Sequence, residues 1–314
     1  MMWNLILRRV AMSILLLLLV SAVTFALQAF IPGDAARAML GPEATDEQYQ
    51  ALRAEMNLDQ PVVQRYLSYL AGAVQGDFGT SLYTGREVLA LILQRLPVSL
   101  SLMLGSLVIA VAAGVLFGVW SAARGGAVSK FVDALSLVGF SLPNFWLALV
   151  LAATFAVAIP IFPATGYSPL SDGVGYWAYF LVLPWFALSI HGISVIAKVT
   201  RDAMMSVLNM DYIRTLRAAG IGRGSVIWKH GLRNAGIGIS TQVGLMAASA
   251  MAGTVFVESV FAMPGLGLMA VDSIHTHDAM VTQGVVLTFA IVVVLINLIV
   301  DLLYSVINPR VRVS

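Results

Sequence analysis

A few places in this 314-residue sequence carry residue types that could do chemistry. Gly139-Phe140-Ser141 has a G-x-S pattern and His191 follows in a later apolar run, which together suggest a serine nucleophile with a histidine base. Such a pair works only within hydrogen-bond reach, and three residues are too short a pattern to specify it. Ser141, with Pro143 and Asn144 beside it, reads better as a local break in a helix whose freed backbone groups find partners nearby. Gly222-Arg223-Gly224-Ser225 lacks both the lysine and the spacing of a phosphate-binding G-x-x-x-x-G-K-[ST] loop. His275 and His277, two apart, are poorly placed as a helical zinc pair and read as solvated loop residues. With no cysteine there is no thiolate nucleophile, thiolate metal site or disulfide framework. Two carboxylates remain, Glu258 and Asp301, each inside an apolar run where ionisable groups are costly. Glu258 can snorkel, pair or face an aqueous path; Asp301 can pair with Arg310 or cap a neighbouring helix.

The elements that must hold these residues are membrane helices. Hydrophobic residues make up 59% of the chain and charged ones only 11%, against about 25% charged in soluble domains. A bilayer core of about 30 Å needs roughly 20 apolar residues in helix. Six stretches qualify: 10–31, 97–122, 134–159, 178–197, 236–262 and 284–307. The first follows Arg8 and Arg9 but exceeds the apolar run of a cleavable signal, so it reads as a retained signal anchor. Thirteen of the 18 Lys and Arg, among them Arg8, Arg214 and Arg233, fall on one side, and Arg37, Arg53, Arg65, Arg86 and Arg95 on the other. The positive-inside rule then places both termini in the cytoplasm.

The organisation expected is an all-α membrane protein with a signal-anchor span (1–31), an external helical segment (32–96) and a five-span core (97–314) containing a charged cytoplasmic loop (200–235). In the external segment Thr45 and Gln48 have capping-box spacing, and Asp59-Gln60-Pro61 opens another helix with proline in its first turn. In the fifth span Gly236, Ser240, Gly244, Ala248 and Ala252 recur every four residues. Small residues so spaced admit another helix closely, within this chain, from a partner, or beside a pathway.

The charged interruption from Asp211 to Ala235 organises the rest. Asn209 or Asp211 can cap a helix that Gly220 ends in a left-handed turn. At about 100° per residue Tyr212, Leu216 and Ala219 form one narrow stripe, with Arg214 and Arg217 opposite. A helix of about two turns is marginal alone and must pack on something. It is either a solvated basic loop near headgroups or a docking helix.

The order of residues in this stretch resembles the cytoplasmic EAA loop of permease subunits of binding-protein-dependent ABC transporters, in the dipeptide and oligopeptide variant. The resemblance rests on Asp211-Tyr212-Ile213-Arg214-Thr215, on Arg217-Ala218-Ala219-Gly220, and on His230-Gly231-Leu232-Arg233-Asn234-Ala235. It extends along the chain through Ile31-Pro32-Gly33-Asp34, Gly76-Asp77-Phe78-Gly79-Thr80-Ser81, Ser141-Leu142-Pro143-Asn144, Glu258 to Gly267, and Asn308-Pro309-Arg310. It implies a six-span permease of an ATP-driven importer in the bacterial inner membrane, with no cofactor of its own and no nucleic-acid partner. It implies as partners a second homologous permease, two ATPases that bind ATP and Mg, and an external substrate-binding protein. Asp211, Tyr212, Arg214, Thr215, Leu216, Arg217, Ala218, Ala219 and Gly220 are then the ATPase-coupling residues. Ser141, Asn144, Gly244, Ala248, Ala252 and Glu258 are candidates for the pathway or a subunit interface. Dipeptides or oligopeptides are the implied cargo, with glutathione, nickel chelates or sugar derivatives as alternatives, and a stand-alone secondary transporter as the rival class.

Overall fold

The computed structural model describes residues 2–28, 35–41, 44–55 and 58–307. The motifs at Ile31–Asp34 and Asn308–Arg310, and the side chain of Asp301, lie outside what is described.

Helices carry the fold, with one isolated antiparallel bridge, Thr80 to Glu87, among the described residues. Backbone groups in lipid must bond within their own segment, and helices achieve this. In order, the elements are α1 (Met2–Gln28), α2 (Ala35–Leu40), α3 (Asp46–Glu55), α4 (Val62–Val74), α5 (Val88–Arg124), α6 (Gly126–Ser141) and α7 (Asn144–Ala152). There follow α8 (Val174–Leu208), α9 (Asp211–Ala218), α10 (Arg223–Ser225), α11 (Leu232–Val260), α12 (Leu266–His275) and α13 (Ala279–Ile307).

Among the described residues, five of these helices are long and apolar enough to cross a membrane. The third stretch, 134–159, is a bent pair: α6 and the run from Asn144 to Ala158 meet at 97°. Pro143, which has no amide hydrogen to offer α6, is the physical cause. The second span is longer than its apolar run suggested, because α5 starts at Val88 and includes Pro97. At its other end Gly125 turns the chain with φ +61, a left-handed value that glycine adopts at little cost.

Two compact units emerge, and their borders cut across the boundaries at 31 and 96. Of the described residues, one unit comprises 2, 99–263 and 295–307; the other comprises 3–98 with 264–294, less the undescribed positions.

The first unit is built around α8. On α5, Gly114 and Gly118 form a G-x-x-x-G pair whose missing side chains let α8 in: a Cβ on Gly118 would lie 2.6 Å from the Ala197 carbonyl oxygen. Gly192 of α8 serves the same purpose towards Ala110 and Met246. Around this crossing Ala110, Val119, Ile196, Met204, Val207, Ala235, Ile239 and Met246 make a buried cluster. Arg201 of α8 donates to Asp133 of α6 at 2.6 Å.

The second unit joins distant parts of the sequence. The Ser81 hydroxyl donates to Asp278 Oδ2 at 2.6 Å, with both residues buried. The other Asp278 oxygen accepts the Val281 amide at 3.2 Å and so caps α13. Gly284 gives room to Phe78, Val88 and Ile92, and Gln283 donates to the Ser21 carbonyl and hydroxyl of α1. The Thr45–Gln48 capping box forms in both directions, at 3.1 and 3.3 Å. Pro61 sits at the N-cap of α4, one position before the first turn in which it was expected.

Candidate functional site

The expected docking helix forms as α9. Its N-cap is Met210, not Asn209 or Asp211. Asp211 is instead the first helical residue, where its carboxylate favours the positive end of the helix dipole and accepts a bond from Arg214 Nη1 at 3.3 Å. Thr215 Oγ1 bonds back to the Asp211 carbonyl at 3.2 Å.

The C-terminal end is the one the sequence implied. Gly220, at φ +78, donates to Arg217, and Ile221 donates to Leu216, both at 3.1 Å. These paired bonds are a Schellman cap, which needs a left-handed residue at the position Gly220 holds.

The stripe is where sequence reasoning falls short. Ile213 is the fully buried residue of α9, and Leu216 is half-buried. Tyr212 stays 37% exposed, and its hydroxyl accepts a bond from Asn234 Nδ2 at 2.9 Å. Thr215, Arg217, Ala218, Ala219 and Gly220 are exposed. An apolar residue flanked by polar ones gives no hint of which side the chain itself will cover, so Ile213 was missed.

Nor is the stretch after Gly220 a loop. From Arg223 the chain is helical through α10, a π-helical turn at Val226–Gly231, and α11. The helix of the fifth span therefore starts 13 positions before Gly236, and α9 packs on its π-helical turn. Gly231 keeps that turn open to Met204 and Leu208 of α8. Arg223 Nη2 donates to the Ala123 carbonyl at the end of α5 at 2.6 Å. The chain thus ties α9, through one rigid helix start, to α5, α8 and α11.

The pathway candidates do not come together as one surface. Ser141 is exposed and its hydroxyl donates to the Leu137 carbonyl at 2.8 Å, while the His191 ring stacks on Phe140 with centroids 5.2 Å apart. Asn144 is half-buried, its amide filling the space above Gly253 of α11. Gly244 is buried, and a Cβ there would lie 2.7 Å from Val300 Cγ1, so at this rung the small-residue ladder serves packing inside the chain. Ala248 is half-buried and Ala252 exposed. Glu258 is fully buried and accepts the Ser99 hydroxyl at 2.6 Å; it neither snorkels nor faces open space. The open face of α11 runs instead through Thr241, Leu245, Ser249, Ala252, Phe256 and Ser259.

Comparison with known proteins agrees with this architecture. Residues 114–313 match the family described as the binding-protein-dependent transport system inner membrane component, and residues 2–103 match the family of its N-terminal part. The chain is 37% identical over 308 residues to a probable peptide ABC transporter permease of Sinorhizobium fredii, covering 98% of both chains. It is 37% identical over 319 residues to the glutathione transport system permease GsiC of Escherichia coli, covering 99% of both. In fold it is similar to a chain of the MetNI methionine ABC transporter in an inward-facing conformation, with TM-score 0.58 and 17% identity, covering 69% of this chain and 96% of that one. With its paired G-x-x-x-G crossing, its bent third span and its short capped helix between the fourth and fifth, the chain belongs to the inner-membrane permeases of binding-protein-dependent ABC transport systems.

Proposed function

We propose that this chain is the permease subunit of an ATP-driven importer of short peptides, and that α9 is the lever through which ATP hydrolysis in a separate subunit moves the spans. The observation that carries the reading is α9 itself. It is held to its own chain by Ile213 on one side, closed by the Gly220 cap, and left open along Thr215, Ala218 and Ala219. A helix so anchored transmits a push to the helices behind it as a rigid body. A second homologous permease completes the pathway, and the open face of α11 is the surface offered to it or to the cargo. ATP and Mg belong to the two ATPase subunits, and an external binding protein delivers the peptide. The distribution of basic residues supports a cytoplasmic position for α9 and both termini.

The relatives' names support a peptide-class cargo, and the glutathione permease makes that compound the second reading. Family membership counts against a stand-alone secondary transporter. Proteoliposomes separate the two classes. The complete complex should accumulate labelled dialanine when ATP is supplied on the α9 side, and this chain alone should accumulate none. Accumulation by the chain alone, driven by an ion gradient, would overturn the proposal. Competition by unlabelled glutathione then separates the two cargo readings.

A further inference from the structure

Within the unit formed by residues 3–98 and 264–294 lies a cavity of about 290 Å³, near the lower end of the size range of small-molecule sites. Its lining includes Phe25 of α1, Gln60, Arg65 and Tyr69 on or beside α4, Asp77, and Met280 of α13. Two polar groups of that lining stand out. Tyr69 is 7% exposed, and its buried hydroxyl has no hydrogen-bond partner among the described residues. A buried polar group left unpaired is costly, so it wants an explanation. Arg65 is half-buried and stacks over the Phe25 ring at 5.8 Å, yet no carboxylate pairs with it among the described residues. Burial, and then the nearby Arg53 charge, pull its guanidinium below the ordinary value, as expected of a cation short of counter-charge. Burial pushes the Tyr69 phenol up, so it stays protonated and able to donate. Asp77 lines the same cavity without pairing to Arg65; one of its oxygens accepts the Gly79 amide at 2.8 Å.

We infer that this cavity binds a short zwitterionic peptide, its carboxylate on the Arg65 guanidinium and Tyr69 hydroxyl and its ammonium towards Asp77. The planar fork of arginine fits a carboxylate through two parallel bonds. Opposite charges that line one cavity without neutralising each other suit a ligand bearing both signs. A phospholipid with phosphate and amine in its headgroup has similar chemistry. But among the described residues Phe25 and Met280 are the only large, wholly apolar side chains in the lining, too little to hold two acyl chains. This inference rests on the peptide-import reading and adds to it a binding station beside α4, at the Gln28 end of α1 and the Ala279 end of α13.

The test uses the full chain in phosphatidylcholine nanodiscs, titrated calorimetrically with dialanine. Saturable binding is expected, and N-acetyl-dialanine amide, which lacks both charges, should not bind. Arg65→Gln and Asp77→Asn should each weaken dialanine roughly tenfold or more, the range of a lost charged hydrogen bond. Tyr69→Phe should weaken it several-fold with no drop in thermal midpoint, because the hydroxyl it removes supports nothing in the fold. No dialanine binding, unchanged affinity in all three variants, or binding abolished by including phosphatidylethanolamine would overturn the inference, the last by assigning the cavity to a headgroup. Uptake by the whole complex keeps the two readings apart. ATP-driven dialanine uptake without binding here rejects the site alone, whereas binding without ATP-driven uptake rejects the importer reading.

Discussion

Gly118→Leu leaves no folded chain to assay. A Cβ at this position would lie 2.6 Å from the Ala197 carbonyl oxygen and 2.5 Å from the Thr200 Cβ, and one turn earlier a Cβ on Gly114 would lie 2.8 Å from that of Ile196. The obstacle at Gly118 is backbone, which cannot swing aside as a flexible side chain would. Relief requires α5 and α8 to separate along the crossing that seats the buried cluster of the first unit. In lipid there is no hydrophobic drive to bring separated helices back, and the loss is dispersion contact along the whole seam. Gly118→Ala should already cost about 1–3 kcal/mol by overpacking, and leucine should abolish accumulation of the protein in the membrane. Gly236→Ala is the control, because nothing lies within 4 Å of a Cβ there; it should accumulate normally. Quantifying membrane-inserted protein and its thermal midpoint in detergent decides the matter, and a stable Gly118→Leu chain would contradict the crossing.

Ile213→Asp has the second large effect, of a different kind. Ile213 is fully buried while its neighbours on α9 are exposed, and a lone carboxylate in its place would have to leave the apolar site or stay there unpaired. The helix then swings away from the π-helical turn while the spans keep their packing. The expected result is normal insertion with ATP-driven uptake lost, and Ile213→Val should keep most of both, since one methylene costs about 0.5–1.5 kcal/mol. If Ile213→Asp transports normally, the seat of α9 on its own chain is unimportant to coupling.

What could be read from the sequence was local. The Thr45–Gln48 capping box, the left-handed end at Gly220 and the helix break at Ser141–Asn144 each depend on residues a few positions apart, and each is present in the structure. The apolar runs gave the spans, because bilayer thickness dictates their length. What escaped notice was set by distant partners. Ser81 meets Asp278, 197 positions away, and Gln283 meets Ser21, 262 positions away; neither pairing leaves a periodic trace. The small-residue ladder of the fifth span drew attention through its regularity, whereas the closest approach to another helix's backbone lies at Gly118, in a G-x-x-x-G among many apolar residues. Ile213 escaped for a related reason. A helical wheel groups Tyr212, Leu216 and Ala219 on one stripe, but the residue of α9 that the chain buries is Ile213, about 60° beyond Leu216 on the wheel. Glu258 shows the same limit: its sequence position allowed three fates, and only the Ser99 hydroxyl at 2.6 Å chooses between them.

The central claim is that the open face of α9 seats on an ATPase subunit. The chain contains no cysteine, so a single Ala219→Cys change creates one addressable thiol on that face. In cells expressing the whole transport system, a short bifunctional thiol reagent should join this position to a cysteine scanned across the ATPase surface, and the product should disappear when Ile213→Asp is added. Absence of any cross-link to the ATPase, or labelling of the introduced thiol from outside intact cells by a membrane-impermeant reagent, would contradict the account.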